Sequence, residues 1–153
     1  MGLDKYHQKR KFDNNPEPKG VVSKKDEKRF VVQEHHARNL HYDFRIEIGG
    51  VLKSWAIPKV PPKKVGIKRL AMAVEDHPVS YLNFAGVIPK GNYGAGRVII
   101  WDKGELELEK NESDEILFNL NGLKLKGSYA LIKPKGSRFG PKAWLFFKRK
   151  SER

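Results

Sequence analysis

A chain of 153 residues, 39% hydrophobic and 10% aromatic, suits a single domain with its own core. The absence of cysteine excludes a disulfide framework and thiolate metal sites, so any metal must be held by histidine nitrogen and carboxylate oxygen. Lysine and arginine number 31 against 18 acids, a formal charge of +13, and seven of those acids fall between Asp102 and Glu115, where only Lys103 and Lys110 are basic. Elsewhere 29 bases stand against 11 acids, a field suited to a polyanion bound through its phosphates.

Residues 1–28 are polar and basic and carry Pro16 and Pro18; they read as a mobile basic arm with a short helix near Tyr6, ahead of a domain over 29–153. No apolar signal core opens the chain and no run approaches about 18 apolar residues, so a soluble, cytoplasmic, monomeric protein without membrane contact is expected. From Arg29 the pattern turns to short β-type runs between glycines and prolines. Strands are predicted near Phe30–Glu34, Leu40–Glu47, Val51–Ile57, Leu70–Glu75, Arg97–Trp101, Glu105–Glu109, Glu115–Leu120, Ser128–Ile132 and Ala143–Lys148. No long helical periodicity competes, which predicts a mainly β fold, a compact closed or nearly closed barrel with minor helix.

The run Leu40–Glu47 alternates strictly, and strand side chains point to opposite faces with a period of two. Leu40, Tyr42, Phe44 and Ile46 form one apolar face; His41, Asp43, Arg45 and Glu47 form the other. A solvated face would carry lysine, glutamate, threonine and serine. This one supplies two kinds of metal ligand and a guanidinium fork for phosphate. Gly49-Gly50 reads as a two-residue hairpin, which sets Arg45 opposite Ser54, Asp43 opposite Ala56 and Phe44 opposite Trp55, with small neighbours leaving room beside the polar row. His35 lies six residues before His41 across the predicted turn His36–Asn39, and reversal there brings it beside His41 and Asp43. Two imidazoles and a carboxylate suit a catalytic manganese, zinc or iron. Spacing alone fits hydrogen-bonded structural histidines about equally well.

The connector Pro58–Lys64 is stiff and basic. The stretch Pro89–Gly96 is glycine-rich but leads into a strand and lacks the Gly-Lys-Ser/Thr ending of a P-loop, so an ordinary glycine turn is favoured. Between them, Glu75-Asp76-His77-Pro78 closes a strand and Tyr81 follows His77 by four. By itself His77 reads as a turn residue before proline. Beside a metal and an arginine it would bind phosphate or protonate a leaving oxygen.

Phe30-Val31-Val32-Gln33-Glu34-His35, Leu40-His41-Tyr42-Asp43-Phe44-Arg45, Leu52-Lys53-Ser54-Trp55-Ala56, Val74-Glu75-Asp76-His77-Pro78 and Gly91-Asn92-Tyr93-Gly94-Ala95-Gly96, in that order, closely resemble the 3′-phosphoesterase domain of bacterial DNA ligase D. The resemblance runs from Lys9-Arg10 to Trp144. It implies a β-barrel that depends on one divalent metal, manganese or a relative such as zinc or cobalt. It also implies removal of a terminal ribonucleoside and then a 3′-phosphate from primer 3′ ends of DNA or RNA/DNA, leaving a 3′-hydroxyl. By resemblance His35, His41 and Asp43 match the metal ligands, Arg45 and His77 the phosphate-binding pair, and Tyr81 a supporting tyrosine. Glu75 matches a further active-site position, and Lys59 and Arg69 match substrate-binding positions. His36 is expected to point away. With the sequence ending at Arg153, a free-standing relative is expected, with a separate ligase and polymerase acting in trans. A non-catalytic nucleic-acid-binding barrel would explain charge and aromatics but leaves the His-Asp-Arg row without a purpose. A structural metal-stabilised domain leaves Arg45 and the excess positive charge unexplained.

Overall fold

The strands expected from Arg29 onward pair into a closed ring in the computed structural model, which describes residues 2–12, 15–23 and 27–150. They are β1 (Arg29–His36), β2 (Leu40–Ile48), β3 (Val51–Ile57), β4 (Lys68–Pro78), β5 (Gly86–Ile88), β6 (Gly96–Asn111), β7 (Glu115–Asn121), β8 (Lys126–Ile132) and β9 (Ala143–Lys148). Eight run antiparallel in the order β1-β2-β3-β4-β9-β8-β7-β6, and β6 returns to β1 to close the barrel. Strand β5 pairs with the first residues of β6, outside the ring. Helix α1 (Asp4–Gln8) and a 3₁₀ helix (Val79–Asn83) complete the regular elements among the described residues. No helix is long and apolar enough to cross a membrane.

The Gly49-Gly50 hairpin has both residues at positive φ, 63° and 82°, the conformation that two-residue turns require and glycine takes without strain. It fixes the predicted register: Arg45 faces Ser54, Asp43 faces Ala56 and Phe44 faces Trp55. Two predicted boundaries are corrected. Arg97–Trp101 and Glu105–Glu109 are one strand, because Asp102-Lys103-Gly104 does not turn. The buried Asp102 carboxylate instead accepts the backbone N–H groups of Leu123, Lys124 and Leu125 at 2.9, 3.1 and 2.8 Å, holding the β7–β8 turn. Gly104 lies where β7 passes so close that a Cβ would stand 2.1 Å from the Asn121 carbonyl oxygen. Strand β4 likewise continues through His77 to Pro78, placing that histidine within the sheet.

Two cores explain why β1 is buried on both faces. Phe30, Val32, Phe44, Ile46, Trp55, Phe118, Tyr129 and Phe146 fill the barrel, with the rings of Phe44 and Phe146 4.8 Å apart. A second core of Leu3, Tyr6, Val31, Leu52, Tyr81, Leu82, Phe84, Ile88 and Val98 lies on the outer side of β1, β3 and β6. The reading of the N-terminal residues as a mobile arm is therefore corrected for the described part. Helix α1 forms near Tyr6 as expected, but Leu3 and Tyr6 are buried and the Tyr6 hydroxyl donates to the Pro18 carbonyl. Burying one large apolar side chain contributes about 1.5–3 kcal/mol. A few isolated anchors among lysines leave no periodic stripe, which is why the pattern did not show them.

Candidate active site

Strand pairing sets His35 directly opposite His41, and Asp43 follows on the same outer face of β2. The Asp43 carboxylate lies 3.3 Å from His35 Nδ1 and 3.2 Å from His41 Nε2. Each imidazole is held from behind. His35 Nε2–H donates to the Gly94 carbonyl at 2.7 Å, and His41 Nδ1–H donates to the Asn39 carbonyl at 3.1 Å. A carbonyl can only accept, so those two nitrogens carry protons, while His35 Nδ1 and His41 Nε2 face the Asp43 carboxylate. One ligand atom from each of His35, His41 and Asp43 lies within 4.8 Å of the others, a grouping that could hold a metal ion. Backing of each histidine by a carbonyl is the usual second layer of a metal site. Burial alone would raise the Asp43 pKa, but Arg45 and the two histidines hold it well below the usual carboxylate range. Burial likewise favours a neutral His41, yet the bond and charge of Asp43 outweigh it and raise the ring's proton affinity. The set fits one divalent ion that accepts nitrogen and oxygen ligands.

Arg45 sits beside this cluster and is only 4% exposed. Its Nε donates to Gln33 Oε1 at 2.7 Å, its Nη2 lies 3.5 Å from Asp43, and its guanidinium carbon lies 4.8 Å from the Tyr81 ring centroid. Gln33 is locked in turn, donating to the carbonyls of Tyr81 and Phe84 at 2.9 and 3.0 Å. Arg45 Nη1 is buried without a partner. An unmet charged donor in such a place is costly unless an anion completes it.

His77 donates from Nδ1 to the Glu75 carbonyl at 2.9 Å, and its Nε2 accepts from Arg10 at 3.2 Å. Burial, reinforced by the charges of Arg45 and Arg10, drives its pKa well below the ordinary histidine value, so it stands neutral. Arg10 also donates to Glu17 and Glu75, each at 3.1 Å, and Lys9 donates to Glu75 at 3.0 Å. Burial would raise the Glu75 pKa, but a bond to its own backbone, with those from Lys9 and Arg10, holds the carboxylate below its usual value. The Tyr81 hydroxyl donates to Glu17 at 2.6 Å; burial first, and then the Glu17 charge, keep it protonated.

A cavity of about 310 Å³ opens among these groups, walled by His35, His41, Asp43, Arg45, Glu75, His77 and Tyr81, and by Arg10, Glu17, Tyr93 and Gly94. The family described as the DNA Ligase D 3′-phosphoesterase domain matches residues 33–133. The chain belongs to this family. A multifunctional non-homologous end joining DNA repair protein LigD of Mycobacterium tuberculosis is 45% identical over 159 residues, covering 99% of this chain and 20% of that protein. The LigD proteins of Mycolicibacterium smegmatis and Pseudomonas aeruginosa are 44% and 48% identical over 99% and 86% of the chain, and 21% and 16% of their own lengths. The chain thus spans about a fifth of the length of these relatives.

Within the phosphoesterase domain, two predicted substrate residues lie apart from the cavity wall. Lys59 is exposed on the β3–β4 connector, and Arg69 donates from Nε to the neighbouring Val60 carbonyl at 2.9 Å. His36 points away as expected and donates to Glu34 at 2.6 Å. Glu17 and Gln33 escaped the sequence reading as site members, and Arg10 entered it only at the start of the family resemblance. Gln33 left a signal as the polar residue that follows the apolar run Phe30–Val32, at the parity of His35. The glycine-rich stretch is more than a turn, since its Gly94 carbonyl orients His35.

Proposed function

We propose that the chain is a metal-dependent hydrolase that removes a terminal ribonucleoside and then a 3′-phosphate from the 3′ ends of DNA or RNA/DNA primer strands during end-joining repair. His35, His41 and Asp43 hold one divalent ion, manganese by preference. The observation that carries the reading is the buried, unpaired Nη1 of Arg45 beside three convergent metal ligands. A metal held by these three residues would supply Lewis-acid polarisation of the phosphate and activation of a water. Arg45, kept in place by Gln33, Asp43 and Tyr81, takes a phosphate oxygen through its free donor. His77 is neutral and accepts from Arg10, which makes it a holder of Arg10 rather than the acid in this state. Glu75 and Glu17 fix Arg10 and Tyr81 around the same space. The exposed Lys59, Lys63 and Lys64, with Arg69 behind them, steer the strand by its backbone without reading bases. The enzyme works as a cytoplasmic monomer, with ligase and polymerase activities supplied by other polypeptides or other modules.

Turnover is tested on two primers, one with a 3′-phosphate and one with a 3′-terminal ribonucleotide, using metal-stripped protein with and without added manganese, zinc or cobalt. Metal-restored release of phosphate and nucleoside is expected. Tight binding of both primers with no turnover under any metal would favour a non-catalytic binding barrel.

A further inference from the structure

Among the residues lining the cavity, one aromatic ring lies half open. Tyr93, in the loop between β5 and β6, lines the mouth and stays 48% exposed. The next residue, Gly94, gives its carbonyl to His35, so the loop that orients a candidate metal ligand also sets the ring. Lys9 donates to the Tyr93 hydroxyl at 3.4 Å, and its ammonium lies 4.8 Å from the ring centroid. The Arg10 guanidinium lies 5.3 Å from it. Loop and N-terminal segment, more than eighty residues apart in sequence, meet at this ring.

The remaining apolar wall offers no comparable flat surface. Ala37, Ala56, Val74 and Ile88 are aliphatic, and the Tyr81 ring is buried between Arg45, His77 and Phe84. A phosphomonoester has no use for a half-open aromatic ring at its rim. A phosphodiester brings a nucleoside beyond the phosphate, and a base stacks on any suitable ring because every base has a π face. The cations at Tyr93 also suit the charge of an adjoining phosphate.

We infer that Tyr93 is the stacking platform for the base of the 3′-terminal nucleoside and sets the preference for nucleoside-ended over phosphate-ended strands. This rests on the phosphoesterase reading above. Stacking on an aromatic contributes enough that its removal weakens a base contact by about fivefold to over a hundredfold.

The test compares wild type, Tyr93→Ala and Tyr93→Phe at saturating manganese on a ribonucleotide-ended primer and on the same primer with a 3′-phosphate. The readout is the ratio of kcat/KM for the two ends. Tyr93→Ala is expected to lower the ratio about tenfold or more, chiefly through KM for the nucleoside-ended primer. Tyr93→Phe keeps the ring and loses the Lys9 bond, and is expected to hold the ratio within about threefold. An unchanged ratio in Tyr93→Ala overturns the inference, as does a Tyr93→Phe that matches Tyr93→Ala, which would assign the effect to Lys9. Wild type that cleaves only the 3′-phosphate overturns the nucleoside subsite alone, whereas wild type inert on both ends overturns the phosphoesterase reading with it. Thermal melts and bound metal per chain, expected to match wild type, confirm that the ratio reports on the ring; a variant altered in either overturns a purely stacking role.

Discussion

Replacing Arg45 by lysine keeps the charge and removes the planar fork, which separates electrostatics from geometry at the phosphate. In the native protein, Arg45 Nε supplies the donor to Gln33 Oε1 at 2.7 Å while Nη1 is left for substrate. One ammonium cannot reach both positions. If it turns to the cavity, the buried Gln33 oxygen loses its donor, at about 1–3 kcal/mol. For a domain of this size that lowers Tm by about 2–12 °C. If it stays on Gln33, the phosphate loses a charge-assisted donor where charge develops, a loss of about a hundredfold to a thousandfold in kcat. Either choice leaves His35, His41 and Asp43 in place, so metal content should hold. Hydrolysis of a 3′-phosphorylated oligonucleotide, with metal per chain measured on the same sample, checks both halves. A rate within about threefold of wild type would refute the fork, and depleted metal would move Arg45 to a supporting role.

The other expectations are quickly stated. His41→Ala and Asp43→Ala should lose bound metal and hydrolysis while keeping the β-type circular dichroism, and a metal-supplemented variant at wild-type rate would remove the ligand assignment. Deleting residues 1–12 removes the buried Leu3 and Tyr6 and the Arg10 bonds to Glu17, Glu75 and His77, costing about 3 kcal/mol or more, so overlapping thermal melts of truncated and full-length protein would show the packing of this segment to be dispensable. His77 has a folded pKa below its unfolded value of 6.5, so the unfolded chain takes up a proton first as pH falls. Its stability contribution is present above about pH 6.5 and is lost on acidification, and His77→Gln should flatten the fall in denaturation midpoint between about pH 7.5 and about pH 5, whereas parallel curves would contradict the buried neutral ring. Lys59→Ala, Lys63→Ala and Lys64→Ala should each reduce the log–log salt slope of oligonucleotide binding by about one unit, and unchanged slopes would take the connector away from the strand.

The polar row was readable because a strand leaves little freedom. Period two puts His41, Asp43 and Arg45 on one face whatever the rest of the chain does, and Gly49-Gly50 fixes which residues oppose them. Reversal after His36 does the same for His35. Which elements lie over that face is another matter. Arg10 and Glu17 come to His77, Glu75 and Tyr81 from 64–67 residues away, through contacts with no local periodicity. Strand β1 did carry a hint, since Phe30 and Val31 are apolar at both parities, the mark of a strand covered on both sides.

His77 shows what that missing layer changes. Read locally, a histidine near a metal and an arginine is a candidate proton donor, because its ordinary pKa leaves it partly charged near neutrality. In the folded protein two cations face it, Arg45 across the cavity and Arg10 at 3.2 Å from Nε2, and burial removes the water that would stabilise a third positive charge. The same residue then becomes an acceptor that helps hold Arg10 against Glu17 and Glu75. For His77 to act as an acid, Arg10 would have to leave Nε2 and an anionic phosphate would have to offset the neighbouring cations. Substrate binding is the one event in the proposed cycle that supplies such an anion, so any acid role for His77 belongs to the complex and not to the free domain.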